Sequence, residues 1–218
     1  MTWSETTVLV VAVLLLVGWV LWVSASRLDR LHRKVMASRL ALDAQLVRRA
    51  SAVVDLAASG ELDPASSVLL AEAAHAVLDD EVDSRRLELG VPGLEPVDGE
   101  GRPPRLLLGG MAPSRALAES DLSATLRSAF EDPEDVLELR GAPSGDELLG
   151  NLAAAWYRAQ LARRFHNEAV AQAQRVRHKW WVRLLHLAGH APMPATVELD
   201  DSWPPGLGRP AELATGGS

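Results

Sequence analysis

Residues 6–26 read TTVLVVAVLLLVGWVLWVSAS, an uncharged run between Glu5 and Arg27. Its centre, 8–23, is almost entirely Val, Leu, Ala and Trp. A helix rising about 1.5 Å per residue carries such a run across a hydrocarbon core of roughly 30 Å. Trp3 near one end and Trp19 and Trp22 near the other suit the interfacial preference of indole. The expectation is a transmembrane helix over 6–26, with 1–5 as a short extracytoplasmic N-terminus. A cleaved signal peptide is the alternative, and Val23-Ser24-Ala25 offers it a small-residue site. A signal also needs a basic leading region, however, and here that region carries only Glu5. The retained anchor is therefore favoured.

Charges flanking the run set an orientation. No Lys or Arg precedes it, whereas Arg27, Arg30, Arg33, Lys34 and Arg39 follow closely. Cationic flanks resist translocation, so the N-terminus is expected outside and the C-terminal domain in the cytoplasm.

The 218-residue chain is 48% hydrophobic but only 5% aromatic, an alphabet of Ala, Leu and Val that favours helices. Its net charge of −7 argues against nucleic acid as a partner, because phosphate neutralisation needs a basic surface. The absence of cysteine excludes disulfides, thiol catalysis and Cys-ligated zinc. No phosphate-cradling or nucleophile-elbow motif occurs.

Beyond the anchor, apolar residues recur at helical spacing. Leu28, Leu31, Val35, Leu42, Leu46, Ala50, Val53 and Ala57 form one stripe, closed by Gly60. Asp63-Pro64 opens a second helix to about Leu89, with Val68, Leu69, Ala73, Val77 and Val82 as its apolar positions. Residues 90–113, dense in Gly and Pro, read as a flexible loop. A short third helix over about 114–131 carries Leu117, Leu122, Leu126 and Phe130. The last long helix runs to about Leu187, with Leu148, Leu152, Ala155, Ala159, Ala162, Ala169, Ala173, Trp180 and Leu184 inward. Residues 189–218, rich in Pro, Gly and acid, read as a flexible, disordered C-terminal tail. The expected fold class is all-α: the transmembrane helix, then an antiparallel four-helix bundle over 27–188. Antiparallel succession brings the end of the last helix back toward the bilayer.

Two stretches resemble the LemA family of bacterial membrane proteins. One is Leu42-Asp43-Ala44-Gln45-Leu46-Val47-Arg48-Arg49; the other is Ala162-Arg163-Arg164-Phe165-His166-Asn167-Glu168-Ala169-Val170. The order of anchor and helices is also similar to the family's. The chain departs from its pattern in having His166 for the usual Tyr, in lacking a proline at 53–56, and in its Gly/Pro loop. The resemblance implies a divergent member: a helical cytoplasmic domain behind an anchor in a bacterial cell membrane, with no known enzymatic activity and a poorly defined cellular role; the expectation is of a non-enzyme without a cofactor.

Within these stretches Asp43, Gln45, Arg48, Arg49, Arg163, His166 and Asn167 are candidate structural or interaction residues. Asp43 and Arg49 flank the apolar stripe and suit ion pairs to a neighbouring helix. His166 shares a face with Ala159, Ala162 and Ala169, as a core histidine would. His186 and His190 have metal-ligand spacing, but Gly189 and Pro192 end the helix there and no third ligand is near. The run 175–183 sets Arg175, Arg177, Lys179 and Arg183 around Trp180 and Trp181, a mixture suited to an anionic lipid surface. The functional expectation is a membrane-anchored scaffold binding unidentified protein partners, with 90–113 and the tail around 197–203 as contact surfaces. Alternatives are an anionic-lipid sensor using 175–183, or a hydrolase or hydrolase accessory subunit using His166 or His186 and His190.

Overall fold

A computed structural model describes residues 3–88, 110–185 and 192–208. Among these there is no strand. Six α-helices follow in order: α1 (Trp3–Ala58), α2 (Pro64–Glu88), α3 (Pro113–Ala129), α4 (Pro133–Gly141), α5 (Gly145–Arg177) and α6 (Trp180–Leu184). A 3₁₀ turn, Pro205–Leu207, ends the described chain. The loop expected over 90–113 lies outside the described residues except for its last few, which lead into α3.

The apolar run of 6–26 and the helix that follows it are one rod. No residue breaks α1 between Trp3 and Ala58, a span of 56 residues. Leu9, Leu14, Leu16 and Trp22 are exposed, whereas the same helix is packed from Leu28 onward. One helix is thus long and apolar enough to cross a membrane. Its end is built locally: Gly60 takes φ 77°, a left-handed conformation that costs glycine little. Asp63 Oδ1 then accepts the amides of Ala65 and Ser66 at the mouth of α2.

Packing is layered along α1. Leu28, Leu31 and Val35 meet Ala169, Val170, Ala173 and Val176. Leu42 and Leu46 meet Ala159. Ala50, Val53 and Leu56 enter the largest cluster with Leu70, Ala74, Leu126, Phe130, Leu149 and Trp156. Rising numbers on α1 meet falling numbers on α5, so the two helices run antiparallel. The far end is closed by α4, started by Pro133 and by Asp132 accepting the Glu134 amide.

Several expected core positions are displaced. On α2 the buried residues are Leu70, Ala74 and Val77, while Val68 is 64% exposed and Leu69 and Val82 also face solvent. An Ala-rich segment carries apolar residues on several faces, so its period alone does not phase it. On α3, Leu117 points outward and Arg115 and Glu119 occupy the inner face. The last long helix does not reach Leu187. It ends at Arg177, and His178–Lys179 redirect the chain into α6, so Val182 turns inward while Trp180 and Leu184 turn out.

The C-terminal segment also differs from expectation. Residues 192–203 form no helix or strand, but they are not free coil; they lie along α5 with Val197 fully buried. Positions 186–191 and 209–218 lie outside the described residues.

Candidate functional sites on the helical domain

Three groupings of polar side chains stand out, and the first is buried. Arg49 of α1 is 0% exposed and donates through Nη2 to Glu119 Oε2 of α3 at 2.7 Å. Its Nη1 donates to Ser123 Oγ at 2.9 Å, and its guanidinium lies 5.2 Å from the Trp156 ring centroid. Glu119 is likewise 0% exposed and has Arg115 3.6 Å away on its own helix. Arg115 in turn pairs with Glu81 of α2. Two cations and two carboxylates thereby pin α1, α2 and α3 against the indole of α5. The geometry is that of a register lock: the charges face one another and solvent does not reach Arg49 or Glu119.

The other candidates near Arg49 are arranged differently. Asp43 pairs within α1, accepting from Arg39 Nε at 3.0 Å, rather than crossing to another helix. Gln45 is half-buried and Arg48 exposed.

The second grouping is a ladder on α5 that holds the segment 192–203. Trp156, Gln160, Arg163, Asn167, Gln174 and Arg177 follow at helical spacing and share a face. Arg163 grips Asp201 with two parallel bonds of 2.8 Å, the fork geometry suited to a carboxylate. Gln160 and the Trp156 indole N–H both donate to the Asp201 carbonyl. Asn167 pairs in both directions with the Val197 backbone, donating to its carbonyl at 3.0 Å and accepting its amide at 2.9 Å. Gln174 and Arg177 donate to the carbonyls of Pro194 and Pro192. Trp203 completes the contact, its ring centroid 5.7 Å from that of Trp156.

His166 sits beneath this ladder, 1% exposed, its Nδ1 sharing a 3.0 Å hydrogen bond with Ser38 Oγ of α1. Burial pushes the imidazole below the ordinary histidine range and Arg39 pushes it further down; Asp43 opposes both. The ring is therefore neutral at pH 7. A catalytic base must meet its substrate, and this ring is walled off from solvent. His186 and His190 lie outside the described residues.

The third grouping is the run 175–183, which the break after α5 divides. Arg175, Lys179 and Arg183 are exposed, but Arg177 is half-buried through its bond to Pro192. Trp180 is 75% and Leu184 67% exposed, one turn apart on the same face of α6, with Leu185 beside them. Trp181 packs inward instead, its ring 5.8 Å from Lys179 Nζ, while Val182 joins Leu28, Leu31 and Val35.

The sequence reading missed Arg115 and Glu119, and it placed Val197 and Asp201 in a segment expected to meet outside partners, where the structure sets them against α5. An i, i+4 Arg–Glu pair in phase with Leu122 and Leu126 is the signal that could have found the first two. The docked segment has no such signal, since most of its bonds run from α5 side chains to its backbone.

Compared with known proteins, the chain matches no family model, no curated protein and no solved structure. What the fold itself defines is an all-helical protein with one long apolar helix at its N-terminus.

Proposed function

We propose that the protein is a membrane-anchored helical interaction module, held at the cytoplasmic face of a bacterial membrane as a divergent relative of the LemA proteins. In this reading α1 beyond residue 26, α2, α3 and α5 are the antiparallel four-helix bundle. The cationic flank of 27–39 keeps that bundle inside the cell. Anchoring confines it to two dimensions and raises its effective concentration toward other membrane components.

The observation carrying the interaction role is an unpaired apolar stripe. Tyr157, Leu161 and Phe165 are spaced four residues apart on α5 and all exposed, Phe165 by 58%. Apolar residues repeated on one helix face favour burial against a second protein surface. The segment 197–203, expected to offer itself to partners, is already occupied by α5, and the loop over 90–113 lies largely outside the described residues, so among the described residues this outer face of α5 is the surface proposed for them.

The chain contains no cysteine, so single introduced cysteines report topology without background. Trp3→Cys in intact cells is expected to react with a membrane-impermeant thiol reagent and Ser59→Cys only after lysis. The paired change Leu161→Asp, Phe165→Asp is expected to reduce the size of the native detergent-extracted complex. The reverse labelling pattern overturns the orientation, and an unchanged complex overturns the role of the stripe.

A further inference from the structure

The short helix α6 has a placement that its sequence does not reveal. Val182 packs into the same cluster as Leu28, which lies two residues past the end of the uncharged run. At about 1.5 Å per residue that offset is only ~3 Å along the helix axis. The headgroup layer is several ångströms deep on each side of the hydrocarbon, since the whole bilayer is roughly 40–45 Å thick around a core of about 30 Å. If residues 6–26 span that core, α6 stands within the headgroup layer.

Its composition suits that level. Trp180 and Leu184 project from one face of α6, with Leu185 next to them, and all three are exposed although Val182 of the same helix is buried. A bulky indole and two leucines pointing away from the domain belong in a half-apolar medium, and indole prefers the interface. Exposed cations surround them: Lys179 at the start of α6, Arg183 on it, Arg175 on α5, and Arg30 and Lys34 on α1. Lys34 also reaches across to Gln172, tying the two helices together at this end.

The opposite end of the domain has the opposite sign. A groove there is lined by Glu61, Asp63, Asp135 and Glu138 around Leu62 and Leu139. An anionic membrane attracts the first end and repels the second, so the field acts in the same direction as the apolar contact.

We infer that α6 is a second membrane contact, a foot that sets Trp180, Leu184 and Leu185 into the headgroup layer of the anionic leaflet, with Lys179 and Arg183 on the lipid phosphates. The inference rests on the anchored reading of α1. Its consequence is mechanical. A single spanning helix leaves a domain free to tilt, whereas a helix plus a foot fixes its inclination and the direction in which the Tyr157–Phe165 stripe faces.

The test uses the full-length protein in vesicles of phosphatidylglycerol and phosphatidylcholine that carry a nitroxide-bearing lipid. An environment-sensitive fluorophore is attached at Leu184→Cys, with Trp180→Cys as a second foot position. Val20→Cys reports the anchor and Leu137→Cys on α4 the distant end. The foot reporters are expected to shift to the blue and to lose most of their emission to the quencher, as Val20→Cys does, while Leu137→Cys keeps its emission. Adding Lys179→Glu and Arg183→Glu, or removing phosphatidylglycerol, is expected to restore emission at 184 and leave it quenched at 20. A quenched 20 beside an unquenched 184 and 180 overturns the foot and spares the anchor. Unquenched reporters at all positions overturn the anchored reading, and the foot with it.

Discussion

Glu119→Ala is expected to be among the most damaging single substitutions outside the apolar core, because it removes the carboxylate between two buried cations. Arg49 donates to Glu119 at 2.7 Å and Arg115 lies 3.6 Å away, with side-chain exposures of 0%, 0% and 2% for Arg49, Glu119 and Arg115. Arg115 keeps Glu81. Arg49 keeps Ser123, the Glu119 carbonyl and the Trp156 ring, but no full negative charge. Removing one member of a buried pair typically costs about 3–5 kcal/mol, since the other charge stays desolvated. For a chain of this size each kcal/mol shifts the melting temperature by roughly 2–4 °C, so the loss is on the order of 10 °C.

The double substitution Arg49→Met, Glu119→Leu removes both charges and leaves Arg115 with Glu81. It is expected to cost under about 2 kcal/mol, less than Glu119→Ala alone, because an apolar pair of similar volume escapes the desolvation penalty. Urea unfolding of the full-length protein in detergent, followed by tryptophan emission, compares the wild type, Arg49→Met, Glu119→Leu and the double variant, the four corners of the cycle, with Glu119→Ala alongside. Trp156, buried against Arg49, is one of seven tryptophans, so the emission reports this layer together with the rest of the chain. A Glu119→Ala cost below about 1 kcal/mol, or a double variant as unstable as the sum of the singles, refutes the argument that charge isolation dominates.

Replacing Asn167 with Ala removes both bonds to the Val197 backbone, and hydrogen–deuterium exchange over 192–203 is expected to accelerate about tenfold or more, since ~1.4 kcal/mol corresponds to a factor of ten. Unchanged exchange there would mean that Asn167 does not hold the segment. Two glycines in α5 are expected to respond with opposite signs. Gly150→Ala meets no atom within 4 Å and should stabilise by about 0.5–1 kcal/mol, whereas Gly145→Ala drives a methyl into the Leu139 carbonyl and should destabilise by about 1–3 kcal/mol, both read from urea midpoints. His166 is held below its ordinary range when folded, so the unfolded chain binds more protons and stability rises with pH across that interval. Its contribution is complete above about pH 6.5 and lost as pH falls toward the lower folded value. His166→Gln should flatten the stability slope below pH 6.5, with His32, also depressed by burial, supplying the remainder.

How much of this was legible in the chain varies by element. The stripe from Leu28 to Val53 was readable because its apolar residues recur at helical spacing, with Asp29, Arg30, His32, Arg33, Lys34, Asp43, Arg48 and Ser51 falling between them. In α2 the pairs Val68–Leu69 and Ala73–Ala74 put apolar side chains on adjacent faces, and the choice of Leu70 and Ala74 fell to the neighbouring helices. At α6 the chain reads as a continuation of α5, and only its turn at His178–Lys179 decides that Val182 goes in and Trp180 out. Arg115 and Glu119 look like surface residues in any single-helix reading, because what makes their burial tolerable is Arg49, more than sixty residues away.

By itself, then, the sequence determined what depends on local composition and period: an apolar helix long enough to cross a membrane, cationic residues just beyond it, an all-helical domain, and the inner face of α1. Tertiary structure alone decided which charges meet, which face of α2 is buried, that residues 192–203 lie in the grip of α5, and that α6 stands level with Leu28. The physical reason is one of range. Helix formation and hydrophobic period arise from neighbours within about a turn or two, whereas ion-pair partners and backbone capture depend on residues brought together only when the helices pack.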